Sequence, residues 1–136
     1  MPLLPCRAGR WLVLLAALLA ALGCGGRRLY PVRGKVTFPD GQPLPGGQVV
    51  FESVDDPTVS ARGEIQSDGT FRMGTFKDSD GVLAGRHRVL VVPPLGPNPD
   101  RPVRVIHPRF QSFDTSGLEY TAPAAEEEFN ITVARS

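Results

Sequence analysis

Apolar and polar residues alternate along most of this chain. Between Val32 and Phe38, the residues Val32, Val36 and Phe38 share one face, and Arg33, Lys35 and Thr37 share the other. Alternation of this kind predicts a strand buried on one side. Pro39-Asp40-Gly41 follows as a turn, because Pro fixes φ and Gly accepts positive φ. Gly46-Gly47 makes a second bend, and Gln48 to Val54 predicts a strand with Val49 and Phe51 inward. Val59, Ala61 and Ile65 then alternate with Ser60, Arg62, Glu64 and Gln66. Ser67-Asp68-Gly69 is a hairpin signal, after which Thr70 to Phe76 turns Phe71 and Met73 inward. Asp78 to Gly85 predicts a loop. Arg86 to Val92 places Val89 and Val91 inside and Arg86 and Arg88 outside. Leu118 to Thr121 predicts a short strand, and Phe129, Ile131 and Val133 alternate with Asn130, Thr132 and Ala134. About seven strands separated by turn signals predict an all-β protein, an antiparallel β-sandwich.

Two segments depart from this pattern. Pro93 to Gly117 holds Pro93, Pro94, Pro97, Pro99, Pro102 and Pro108 and is too long for an ordinary connection. Its apolar Ile106, Phe110 and Phe113 predict that Val103 to Gly117 lies on the sandwich, with Pro94 to Arg101 left mobile. The other is the N-terminus. Arg7 and Arg10 precede an uncharged run from Trp11 to Leu22, shorter than the ~20 residues of a spanning helix. It fits the apolar region of a signal peptide over residues 1–23. The run ends in Ala21-Leu22-Gly23-Cys24, which resembles the bacterial lipobox. That resemblance implies a diacylglyceryl group on the Cys24 thiol, cleavage before Cys24, and acylation of the new amine. Two or more chains anchor a protein stably where one does so marginally. Residues 24–29 then form the lipidated Cys and tether. Residue 25 is Gly rather than Asp, which by resemblance to sorting signals favours the outer over the inner membrane. Plain secretion is the competing reading.

Composition narrows the function. The 15 Lys and Arg stand against 14 Asp and Glu, so the basic excess expected of a nucleic-acid binder is missing. Cleavage before Cys24 would remove Arg7 and Arg10 and turn the formal charge slightly negative. The 15 Gly and 14 Pro exceed ordinary usage, roughly 12% together, without reaching the ~25–30% of disordered chains. Two Cys cannot build a disulfide framework, and no Cys/His cluster suggests zinc.

Residues 32–54, VRGKVTFPDGQPLPGGQVVFESV, resemble the first hairpin of the carboxypeptidase regulatory-like family, with its G-x-V, D-G-x-P-L and G-x-x-V-x-F pattern. Residues 63–76, GEIQSDGTFRMGTF, resemble that family's T-D-x-D-G-x-F segment. Gly85 to Val91 resembles its G-x-Y-x-V-x-V strand, with His87 where an aromatic is usual. Ile106 to Tyr120 resembles the closing element of small bacterial lipoproteins carrying this domain. The resemblance covers roughly residues 30–134, and the domain it marks runs over 30–136 with the Pro-rich insertion at 93–117. It implies a prealbumin-like, transthyretin-like Greek-key sandwich of seven strands and a domain that is itself non-catalytic.

The residues that carry chemistry agree with a non-catalytic reading. Transthyretin-like hydrolases end in Tyr-Arg-Gly-Ser, whereas this chain ends Val133-Ala134-Arg135-Ser136. No G-x-S-x-G nucleophile elbow occurs. Asp78-Ser79-Asp80-Gly81 opens like a calcium loop, but the twelfth position of an EF-hand is Val89 instead of Glu, which excludes the EF-hand; a solvated turn is the reading, with a calcium site shared between sandwich loops as the alternative. Asn130-Ile131-Thr132 matches a glycosylation sequon but sits within a strand of a chain that looks bacterial. His87 is expected as a hydrogen-bonded core histidine, and Glu126-Glu127-Glu128 as the solvated start of the last strand. Arg33, Lys35, Arg62, Arg72, Arg86 and Arg88 point outward with Glu52 and Glu64, as a cross-strand charge ladder or as a basic face for anionic envelope polymers or lipid headgroups. The expectation is a lipid-anchored, non-catalytic envelope module without cofactor or metal. Its partners would be the membrane and an envelope protein or polysaccharide. The alternatives are a ligand-binding lipoprotein with a pocket beside the Pro-rich segment, and a small transthyretin-like hydrolase.

Overall fold

The computed structural model describes residues 28–98, 105–126 and 128–136. The expected signal peptide, Cys24, most of the tether and part of the Pro-rich segment lie outside the described residues. Among the described residues nine strands run in chain order: β1 (Leu29–Tyr30), β2 (Arg33–Thr37), β3 (Gln48–Ser53), β4 (Ser60–Glu64), β5 (Thr70–Arg72), β6 (Val82–Leu83), β7 (Gly85–Val92), β8 (Leu118–Ala122) and β9 (Ile131–Thr132). The only helical turn among the described residues is a short 3-10 segment, Pro108–Gln111. The protein is all-β and mostly antiparallel.

One sheet has the order β4-β3-β7-β8 and the other β5-β2-β9, with β1 and β6 forming a separate two-stranded ribbon. Alternation decides which residues face inward. Val49 and Phe51 on β3, Ala61 on β4, Val89 and Val91 on β7, and Tyr120 on β8 enter one core with Val36, Phe71, Ile131 and Val133 from the other sheet. Rings join the two sheets at the centre. Phe51 meets Phe129 edge-on at 6.0 Å between centroids, and Tyr120 lies 5.1 Å from Phe129. Such aromatic pairs contribute about 0.5–1.5 kcal/mol each beyond their burial.

Two sequence expectations need correction. The sandwich is not wholly antiparallel, because β9 runs parallel to β2, pairing Val36 with Ile131 and Thr37 with Thr132. Alternation reports which face a residue takes and is silent on strand direction. The stretch from Asp78 to Gly85 is not loop throughout. Val82–Leu83 forms β6 and pairs with β1, so Leu29, the last residue of the expected tether, already belongs to a strand. Two-residue strands are too short to show a period, which is why the pattern missed both.

Of the stretch expected on the sandwich, residues 105–117 are described and pack there, with Phe113 only half-buried. Ile106 and Phe110 are buried. The His107 N–H donates to the Ala134 carbonyl, and Ile106 bridges Arg135. Pro94 to Asn98 are described, with Leu95 fully exposed, whereas 99–104 lie outside the described residues.

Closing the second sheet requires Gly34. It faces inward on β2, and a Cβ there would collide with the Phe129 carbonyl oxygen and lie 2.9 Å from the Phe71 ring. Replacing Gly34 with Ala is expected to cost about 3 kcal/mol or more, since backbone atoms cannot move aside as a side chain can. Gly41→Ala is the comparison: Gly41 has φ 85° with open space around it, and left-handed backbone alone costs about 1–2 kcal/mol. Urea midpoints of both variants check this. Equal losses would mean that the Gly34 contact does not limit the fold.

Candidate functional site

The outward cations differ in their pairing. On the four-stranded sheet Arg86 and Arg88 are paired, whereas Arg62 on β4, opposite Val50, has no ion pair among the described residues. Arg86 sits opposite Thr121 on β8 and reaches diagonally to Glu119, 2.6 Å away. Arg88 lies between Glu52, directly opposite on β3 at 2.6 Å, and Asp114 at 3.0 Å. The Glu119 hydrogen bond holds the Arg86 guanidinium above its ordinary range, and Arg86 in turn draws the Glu119 carboxyl below its own. The Arg88 guanidinium is raised chiefly by its hydrogen bond to Glu52. This is the expected cross-strand ladder, with Asp114 and Glu119 as partners that the sequence did not identify. Solvent-exposed pairs of this type contribute about 0–1 kcal/mol.

On the three-stranded sheet the cations are unpaired. Arg33 on β2 stands directly opposite Arg72 on β5, and Lys35 stands opposite Thr70. Backbone bonds from Val36 N–H to the Gly69 carbonyl and from Met73 N–H to the Val32 carbonyl flank these positions. Arg33/Arg72 and Lys35/Thr70 are therefore the non-hydrogen-bonded pairs of the ladder, where Cα atoms approach to about 4.5 Å and side chains lie closest. Like charges directly opposite one another destabilise a sheet. Among the described residues, none of the three cations has an ion-pair partner; the ion pairs are those of Arg86, Arg88 and Arg135.

These cations line a cleft of about 560 Å³, together with Gly34, Glu64, Gln66, Thr70, Phe71, Ser79 and Glu128. It opens at the seam where β4 belongs to one sheet and β5 to the other. The two strands are held there by the reciprocal Arg62/Gly74 bridge and by the Gln66 N–H donating to the Thr70 carbonyl. Glu128, expected as merely solvated, is drawn to the cleft by its parallel bridge to Arg33. The anticipated pocket beside the Pro-rich segment is not this one, since no residue of 93–117 lines it.

Groups that catalysis would draw on are held in structural roles. His87 is buried on β7 with its ring 5.8 Å from Phe51, and Nε2 lies 2.8 Å from the Leu83 carbonyl. The bond orients the ring as a core histidine, while Nδ1 is buried without a partner. His107 Nδ1 accepts the Arg109 N–H and caps the 3-10 turn. The Ser116 hydroxyl donates to the Val89 carbonyl. Asn130 Oδ1 accepts the Lys35 N–H. Asp80, from the calcium-like tetrad, accepts the N–H groups of Thr75, Phe76 and Lys77 at 2.6, 3.1 and 2.9 Å. Its carboxylate organises the loop between β5 and β6.

Compared with protein-family models, with curated proteins and with solved structures, the chain gives no match in any of the three.

Asp80 generates a pH expectation. Desolvation raises its pKa, but the three N–H donors outweigh it and leave the carboxyl below its ordinary 3.8. A folded pKa below the unfolded one stabilises fully above the unfolded value and loses that contribution as pH falls through the folded one. Asp80→Asn presents an NH2 group to N–H donors and is expected to cost about 1–2 kcal/mol at pH 7. Urea midpoints at pH 7 and below pH 3 check this. The gap between the two chains is expected to narrow in acid, and a gap independent of pH would show that the carboxylate charge is irrelevant to the loop.

Proposed function

We propose that this protein is a lipid-anchored, non-catalytic binding module of the bacterial cell envelope, held to the membrane through Cys24. Its domain would be of the carboxypeptidase regulatory-like, prealbumin-like type. The observation that carries the reading is the combination of the Leu22-Gly23-Cys24 motif with a β-domain whose first strand, β1, is paired from Leu29 onward. A tether of a few residues holds such a domain close to a bilayer, because an extended chain spans only about 3.3–3.6 Å per residue. The four- and three-stranded sheets together carry seven strands, the number the family resemblance implies. The non-catalytic character is supported by the engagement of His87, His107, Ser116 and Asp80 in the fold itself. Gly25 behind the anchor favours the outer membrane.

The module reading draws on a further point. Loops on a rigid scaffold are where binding resides, and at one seam of this scaffold Arg33, Lys35 and Arg72 face a cleft without an ion pair among the described residues. That observation favours the ligand-binding form of the lipoprotein over a purely structural one.

The anchor has a direct test. Intact mass of the membrane-extracted protein is expected to begin at Cys24 and to include diacylglyceryl and acyl mass, and Cys24→Ser is expected to abolish the added mass. Recovery of mature protein with an unmodified N-terminus from a detergent-free supernatant would overturn the lipoprotein reading.

A further inference from the structure

We infer that the cleft between β4 and β5 is a binding site for an anionic, hydroxyl-bearing ligand, a sugar carrying a carboxylate or phosphate group. The inference rests on the binding-module reading and gives that module a ligand class.

Its first ground is the pairing of like charges. Arg33 and Arg72 occupy one non-hydrogen-bonded cross-strand position, with Lys35 two residues along the same face. On the four-stranded sheet Arg88 is ion-paired with Glu52 and Arg86 with Glu119, whereas Arg33, although bridged to Glu128, and Arg72 form no ion pair among the described residues. At the seam the cations meet a cleft instead. Two guanidinium forks and an ammonium offer only donors, and Arg matches carboxylate and phosphate oxygens in bidentate geometry.

The second ground is the rest of the lining. Glu64 and Glu128 offer only acceptors when ionised, so the part of a ligand beside them must bring donors. Gln66, Thr70 and Ser79 are neutral polar groups that both donate and accept. The Thr70 hydroxyl already donates to Asp68, which leaves it an acceptor for a ligand hydroxyl. Asp68, bonded to Thr70 and within reach of the Lys35 charge, offsets the ammonium, so the anionic group of a ligand is directed to the facing Arg33 and Arg72 guanidinium groups. An anionic group at one end and hydroxyls at the other meet all of these demands together. The cleft volume lies within the range of small-molecule sites, about 300–1,000 Å³.

The test uses the full lipidated chain in a neutral detergent, titrated calorimetrically with glucuronate, glucose 6-phosphate, glucose and inorganic phosphate. Glucuronate or glucose 6-phosphate is expected to bind at least about tenfold more tightly than glucose or inorganic phosphate, the factor that one charge-assisted hydrogen bond supplies. The Arg33→Gln/Arg72→Gln double variant is expected to lose that binding, whereas Arg86→Gln, on the paired ladder, is expected to retain it. Unliganded thermal stability gives a second readout. Removing one of two facing cations relieves repulsion, so Arg72→Gln is expected to melt at the same temperature as the parent chain or higher.

Several results would overturn the inference. They are no binding of either anionic sugar, equal binding of inorganic phosphate, tighter binding of an acidic peptide than of either sugar, or equal loss in Arg86→Gln. The mass measurement on Cys24 separates the two proposals. A lipidated chain that binds no sugar defeats only the ligand assignment, and an unlipidated chain that binds it defeats only the anchor.

Discussion

The fold depends on one close approach, that of the Phe129 backbone to Gly34. A strand that enters the sheet beside β2 needs its carbonyl where any other residue would carry a Cβ. With that space free, Phe129 N–H donates to the Arg33 carbonyl at 2.7 Å, and Val133 N–H donates to the Thr37 carbonyl at 2.9 Å. The end of the chain is thereby stitched along the first long strand. The same approach delivers the Phe129 ring to Phe51 and Tyr120 on the opposite sheet. One glycine thus serves both the hydrogen-bonded closure of the smaller sheet and the aromatic contact across the core.

The consequences reach the outer surface. With Phe129 seated on the inner side of β2, Arg33 and Lys35 are committed outward, and the antiparallel partner β5 brings Arg72 directly opposite Arg33. Parallel entry of the last segment sets Glu128 beside Arg33. The seam between the sheets lies next to this group because the hairpin from β4 to β5 passes from one sheet to the other while retaining the Arg62/Gly74 bridge. Cleft and core are two sides of one packing arrangement.

Electrostatics separates the two sheets in a way that burial does not. Both outer faces are wet, and both carry Arg at alternating positions. Glu128, beside Arg33 on the smaller face, forms no ion pair among the described residues, whereas on the four-stranded face acids close into ion pairs with Arg86 and Arg88. Exposed pairs contribute little to stability, so the ladder on that face matters less for holding the fold than for leaving no net demand on a ligand. The smaller face has that demand. Its like-charged pair disfavours the empty state and favours whatever brings negative charge to it.

Alternation in the sequence determined which residues enter the core, because side chains on a strand must alternate and only one face is apolar. Val32, Val36, Val49, Phe51, Ala61, Ile65, Phe71, Met73, Val89 and Val91 are all buried. The turns at Pro39-Asp40-Gly41 and Ser67-Asp68-Gly69 were equally legible, since Gly41 and Gly69 both take positive φ. His87 was readable as a core group for the same reason: its place on the inner face of β7. Strand direction, sheet membership and cross-strand register were beyond the sequence, as each is fixed by contacts between residues far apart in the chain. The parallel entry of β9 depends on Gly34 and Phe129, 95 residues apart like the Lys35 to Asn130 bond beside them. Whether a given Arg meets Glu, as Arg88 meets Glu52, or another Arg, as Arg33 meets Arg72, depends on register alone. The six outward cations were therefore one indistinct set in the sequence, and only the tertiary structure separated the ladder of Arg86 and Arg88 from the cleft of Arg33, Lys35 and Arg72, with Arg62 in neither.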